Sequence, residues 1–179
     1  MENLPVFKLI VGLGNMGPAY VHSHHNAGFL AIDYLHAKLA PKNSVRTTPS
    51  FTYIRGEEFL LIKPTTFMNN SGGAVKNALK YFSKLGHKLT PSELLVIHDD
   101  SDLALGTWKL SWDKRAAGHR GVQSIIDSLG TQEFYRLRIG IRTKPGKAGT
   151  FVLKPISRGV ERKLHSVFEE ILEKVIVKE

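Results

Sequence analysis

The chain has no cysteine in its 179 residues, which excludes a disulfide scaffold and any thiolate nucleophile or metal site. It also lacks an apolar run approaching 20 residues and a basic-then-apolar N-terminus, so neither a membrane span nor a secretion signal is expected. A reducing, cytoplasmic location is the simplest reading. No serine sits in a nucleophile-elbow pattern. Without an activated thiol or hydroxyl, the nucleophile that the remaining polar residues imply is water. Acidic residues are scarce too: 16 Asp and Glu stand against 25 Lys and Arg, a formal net charge of +9. The length and a hydrophobic content of 42% suit one domain, residues 1–179, with a sizeable core.

The positive excess is uneven. Residues 104–158 hold eleven Lys or Arg and only Asp113, Asp127 and Glu133, a local excess of eight. Such a stretch is a candidate phosphate-binding surface, and its bland alternative is a solvated face balanced from elsewhere.

Hydrophobic spacing places the elements. Phe7 to Leu13 reads as a buried strand ending in glycines, and Phe29, Ile32, Leu35 and Leu39 recur at helical spacing before Pro41. Phe51 to Arg55 and Phe59 to Lys63 read as a hairpin, followed by a loop at Pro64 to Asn70 and a helix marked by Val75, Leu79, Phe82 and Leu85. Leu94 to His98 is a continuous apolar strand whose end releases Asp99. Thr107 to Trp112 reads as a strand, Val122 to Leu129 as a helix and Tyr135 to Arg142 as a strand, with a loop at Pro145 to Gly149. A final amphipathic helix carries Val160, Leu164, Phe168, Ile171, Leu172 and Val175. The expectation is an α/β fold: a single domain with a mixed, mostly parallel twisted β-sheet flanked by α-helices.

Two motifs suggest cofactors and fail on context. Gly12-Leu13-Gly14-Asn15-Met16-Gly17 fits the dinucleotide fingerprint, with Asp33 near the ribose-binding distance. However, Pro18 to Asn26 separates the glycines from the helix, and Asp33 falls inside that helix, so no cofactor is expected. His22, His24 and His25 could ligate a metal with Asp99 or Asp102, but successive residues entering a helix point in different directions. No metal is expected.

Three segments carry the chemistry: Asn15 with His25-Asn26-Ala27-Gly28, Pro64 to Asn69, and His98-Asp99-Asp100-Ser101-Asp102. A histidine beside a carboxylate can act as a general base near neutral pH, since its unperturbed pKa is ~6.5. Carboxamides can hold a substrate's carbonyl and amide groups. In this order, with Ile10 to Asn15, Lys63-Pro64 through Gly72, Leu95 to Leu103, Gly118-His119 and Arg136 to Ile141, the sequence resembles the bacterial-type peptidyl-tRNA hydrolases over nearly its whole length.

The resemblance implies a peptidyl-tRNA hydrolase-like, phosphorylase/hydrolase-like fold. It also implies hydrolysis of the ester joining a peptide or N-blocked aminoacyl group to tRNA, which recycles tRNA released prematurely from ribosomes. By the same resemblance His25 is the general base, with Asp99 supporting its imidazolium. Asn15, Asn69, Tyr20, Met68, His119 and Arg120 hold substrate, while Lys109, Lys114 and Arg138 meet the acceptor stem. The family cleaves peptidyl-tRNA and largely spares free aminoacyl-tRNA, which fits a site demanding an amide where a free amine would be charged. A monomer without membrane association follows. Asp100 and Asp102 read as turn or cap carboxylates.

The chain also departs from the family. Met16 replaces a proline beside Asn15, which is expected to loosen that loop. Arg120 replaces an asparagine and cannot accept a hydrogen bond. Asp113 to Ala117 replace a glycine-rich run, and Ser111 takes the place of a lysine that clamps the tRNA 5′-phosphate, leaving Lys109 or Lys114 to substitute. With the helix ending near Glu179, any trailing element covering the cleft is expected to be short. The competing reading is a non-catalytic RNA-binding module on the same fold, for which Arg120 is the argument. A generic basic esterase is a third.

Overall fold

The computed structural model describes residues 4–143 and 149–177. The loop expected at Pro145 to Gly149 lies outside them, except for Gly149, which opens a short turn ending at Leu153. Seven strands form one sheet: β1 (Leu9–Gly12), β2 (Arg46–Thr47), β3 (Phe51–Arg55), β4 (Leu60–Pro64), β5 (Leu94–Ala104), β6 (Trp108–Trp112) and β7 (Tyr135–Arg142). Their order is β2-β3-β4-β1-β5-β7-β6. The four central strands, β4, β1, β5 and β7, run parallel, and β2, β3 and β6 extend the sheet as antiparallel edges. Continuous apolar runs such as Leu9 to Val11 and Leu94 to Ile97 suit these interior strands, because helices cover both faces.

One face packs on α1 (Ala27–Leu39) and α4 (Arg158–Ile171), through Ile32, Leu35, Leu95, Ile97, Leu137, Leu164 and Phe168. The other packs on α2 (Ser71–Lys84) and α3 (Arg120–Leu129), through Val11, Leu13, Val75, Phe82, Val96, Val122 and Ile125.

The glycines that mimic a dinucleotide fingerprint have a packing role. A Cβ at Gly12 would lie 2.2 Å from the Gly28 carbonyl oxygen, and one at Gly28 would lie 2.4 Å from that of Ile97. Only hydrogen fits at both positions, so the start of α1 rests against the C-terminal ends of β1 and β5. That contact brings His25 to the strand ends.

The strand carrying Asp99 is longer than the sequence suggests. It runs to Ala104, with its register to β7 shifted between Asp100 and Ala104. Asp99 therefore lies within a strand and is not released after one. Polar residues extend β5 because its edge still pairs with β7, as Asp99 to Ile139 and Asp100 to Gly140. Apolar periodicity carries no signal for such a segment.

Candidate active site

A cleft of about 750 Å³ opens at the C-terminal ends of the parallel strands. It gathers Asn15, Tyr20, His25, Met68, Asn69, Asp99, His119 and Arg120, all eight residues expected to act in catalysis or to hold the substrate. Phe67, His98 and Leu153 also line it. A second cavity of about 700 Å³ lies near the opposite strand ends, by Lys8, Phe59 and Glu93, and contains none of the expected residues.

Asp99 is the buried centre. Its Oδ1 accepts from His25 Nδ1 at 2.7 Å and from His119 Nε2 at 3.1 Å. Burial pushes the carboxyl up, but hydrogen bonds from His119 and His25 outweigh it and hold Asp99 well below the usual carboxylate range. The partners also fix the tautomers. The Val122 N–H donates to His119 Nδ1 at 3.2 Å, as a cap on α3, so the His119 proton is on Nε2. His25 donates from Nδ1, which leaves the Nε2 lone pair of a neutral ring for the cleft.

The same network weighs against a metal. His25, Asp99 and His119 offer ligand atoms within 4.8 Å of one another. To ligate as a neutral ring through Nε2, His119 would have to carry its proton on Nδ1, where the Val122 N–H already points. Nor do the adjacent histidines converge: His24 turns away, donating from Nδ1 to the Lys154 carbonyl at 2.9 Å and packing edge-on against Phe151.

Asn15 is held firmly despite Met16. Its N–H donates to Asn26 Oδ1 at 2.8 Å, and Asn26 Nδ2 donates to its carbonyl at 3.0 Å. Buried Asn26 thus supplies the restraint that a proline would have given. The Asn15 Oδ1 accepts the Met68 N–H at 2.9 Å, so its Nδ2 is the end left to donate. Met68 is buried against α3, where a Cβ at position 121 would lie 2.4 Å from its sulfur, and Gly121 leaves the room it needs. Asn69 is exposed in the turn before α2.

His119 lines the cleft, and both its ring nitrogens are engaged within the protein, Nε2 with Asp99 and Nδ1 with the Val122 N–H at the head of α3. Arg120 is exposed at the first turn of α3, with no ion-pair partner among the described residues.

Lys109, Lys114 and Arg138 are not part of the cleft lining. Arg138 and Lys109 are direct partners across β7 and β6, so they share one face of the sheet, while Ser111 lies opposite Arg136. Asp100 does more than the turn it was expected to make. Its Oδ1 accepts the Asp102 N–H at 2.8 Å, and its Oδ2 accepts Arg138 Nε at 2.5 Å. Lys114 and Arg115 are exposed in the following segment, where Asp113 and Ala117 adopt left-handed φ values of 47° and 49°. Buried Arg136 ties that segment down, donating from Nη1 to the Arg115 carbonyl at 2.7 Å.

Comparison with known proteins decides the family. The peptidyl-tRNA hydrolase family model matches residues 9–178. The chain belongs to the peptidyl-tRNA hydrolase family. It is 43% identical over 168 residues to the peptidyl-tRNA hydrolase of Aquifex aeolicus, covering 91% of this chain and 85% of that protein. It is 39% identical over 171 residues to that of Mycoplasma mycoides, covering 94% and 89%. Among solved structures, the peptidyl-tRNA hydrolase of Acinetobacter baumannii superposes with a TM-score of 0.82 at 29% identity, over 93% of this chain and 85% of that one. Membership of this family and the observed sheet bear out both the resemblance and the expected α/β fold.

Proposed function

We propose that the chain hydrolyses the ester between a peptide's terminal carbonyl and the ribose of tRNA, using water activated by His25. The observation that carries this is the His25 ring, which lines the cleft: its Nδ1–H is bound to buried Asp99, and its Nε2 has no hydrogen-bond partner among the described residues. His25 Nε2 takes a proton from water as the oxygen attacks the ester carbonyl. Asp99 stabilises the imidazolium that forms. The bond from carbonyl carbon to ribose oxygen then breaks, and the imidazolium returns the proton to that oxygen. A peptide carboxylate and a tRNA with a free hydroxyl leave, with one proton released to solvent.

The remaining residues divide the substrate. The Asn15 Nδ2 and the Asn69 carboxamide hold the reacting carbonyl and the peptide main chain, which suits peptides of any side chain. Tyr20 and Met68 wall the peptide end. Lys109 and Arg138 meet the phosphates of the acceptor stem, with Lys114 beside them, and Lys109 takes over from the lysine replaced by Ser111. Arg120 faces the RNA half near the 3′ end. Recognition runs through phosphates and helix shape, with little reading of bases. The protein works as a monomer in the cytoplasm, without a metal or organic cofactor. No helix among the described residues is long and apolar enough to cross a membrane.

The deciding experiment is release of the acyl group from N-acetyl-aminoacyl-tRNA in EDTA, with His25→Ala and free aminoacyl-tRNA alongside. Release by wild type alone, with the free-amine substrate spared, is the expected result. Tight, salt-sensitive tRNA binding without release would refute it and identify an RNA-binding module.

A further inference from the structure

One buried titratable group at the cleft has no part in the chemistry above. His98 is 3% exposed, on β5 between Ile97 and Asp99. Its Nδ1 donates to the Asp99 carbonyl at 2.7 Å. Its ring meets that of His119 edge-on, with centroids 4.5 Å apart and planes at 61°. Its Nε2 is buried and has no partner among the described residues. An unpaired buried acceptor is a costly feature that phenylalanine would avoid.

We propose that His98 is a positioning residue: it holds the Asp99 main chain through Nδ1 and braces the His119 ring, so that both imidazoles meet one carboxylate oxygen. The inference rests on the reading of His25 and Asp99 as the reacting centre. The two contacts act on the two groups that hold Asp99 in place. Without the brace, the His119 ring can turn about its Cβ–Cγ bond, which would break Nε2–H to Asp99 and uncap α3 together. Without the Nδ1 donor, the Asp99 carbonyl loses its side-chain partner and the carboxylate beside it loses its fixed direction.

The surroundings keep His98 a constant donor. Burial holds it well below the ordinary histidine value, and His119 at the head of α3 and Arg136 on β7 act in the same direction. Asp99 on its own strand opposes them. Arg138 is its register partner on β7. The ring therefore stays neutral, in one tautomer, across the pH range in which histidine bases work.

The test compares His98→Ala, His98→Phe and wild type in the full chain. It reads kcat and KM on N-acetyl-aminoacyl-tRNA from about pH 5 to 9, beside nitrogen-15 NMR of the imidazoles. In wild type, His98 should show a non-titrating Nδ1–H ring and His119 a single Nε2–H tautomer. Folded His98→Ala should lower kcat by ~10–100-fold with KM within about twofold, since misplacement of that order costs rate and not affinity. Its His119 signals should average between tautomers, and the acid limb of kcat/KM should move to higher pH as Asp99 is left to His25 alone. His98→Phe keeps the brace, so it should restore the single His119 tautomer and recover part of kcat. It also carries the test if His98→Ala does not fold. Wild-type kcat, pH profile and His119 signals in folded His98→Ala would overturn the proposal, as would fully wild-type kcat and pH profile in His98→Phe or a rise in KM alone. If the His119 tautomer depends on His98 but wild type releases no acyl group, the positioning role stands and the hydrolase reading fails.

Discussion

The reacting centre and the basic face at β6 and β7 hold charge in opposite ways. At the centre, one buried carboxylate oxygen serves two imidazoles, and both nitrogens of His119 are engaged. On the basic face, Lys109, Lys114 and Arg115 are exposed, without ion pairs among the described residues, and only Arg138 is braced, by Asp100. In the reaction proposed for the centre, proton transfer needs groups fixed to within a fraction of an ångström before substrate arrives, which suits groups each locked by a neighbour. On the proposed reading a polyanion is captured by charges that can reach it, which suits lysines that are exposed and have no ion pair among the described residues.

Breaking the centre should cost most. His25→Ala should reduce kcat by ~10²–10⁴-fold with little change in KM, because the lost group acts only as bonds form. Asp99→Asn should fall in the same range, since an amide can donate to His25 and so favour the wrong tautomer. Single-turnover acyl release separates these effects from binding. Breaking the basic face should do the reverse. Lys109→Ala and Arg138→Ala should each raise KM several-fold at near-wild-type kcat, and each should lower the slope of log K against log salt by about 0.7–0.9. An unaltered slope in both variants would remove the phosphate clamp, while an altered slope in His25→Ala would blur the division between the two regions.

Acid sharpens the contrast at equilibrium. Asp99 is held below its unfolded value of ~3.9, so its ionised form stabilises the fold above that pH. That stabilisation is lost as pH falls from about 5 through the unfolded value towards the folded one. Urea midpoints between pH 3 and 7 should therefore drop more steeply for wild type than for Asp99→Asn. Parallel curves would mean that the carboxylate is as comfortable unfolded as folded.

Local patterns in the sequence located the elements well, and the cleft partly. Tyr135 to Arg142 matches β7 to the residue, because Leu137, Ile139 and Ile141 alternate as a strand requires. His25 and Asp99, 74 residues apart, were paired by resemblance to a family and not by any spacing. The supports were less visible. Asn26 against Asn15, Arg138 against Asp100, and Arg136 against the Arg115 carbonyl join segments 11, 38 and 21 residues apart, through side chains that follow no periodicity. The capping role of His119 is hidden as well, because it depends on where α3 begins, two residues before the expected start. Packing contacts of this kind become legible only when the chain is folded.

The segment joining the two regions offers the smallest and most local test. Ala117 sits at φ 49°, immediately before Gly118 and His119, in a conformation that costs a residue with a Cβ about 1–2 kcal/mol. Ala117→Gly removes that strain but adds ~0.4–1 kcal/mol of unfolded-state entropy, so the expected gain lies between about 0 and 1.6 kcal/mol, with each 1 kcal/mol raising Tm by ~2–4 °C. Arg136 still anchors the segment through Arg115, so the backbone should keep its course. If the melting temperature rises while kcat holds, the strain is only a consequence of alanine standing at a left-handed position. If kcat falls as stability rises, the alanine stiffens the approach to His119, and the order of the reacting centre extends back along the chain towards the basic face.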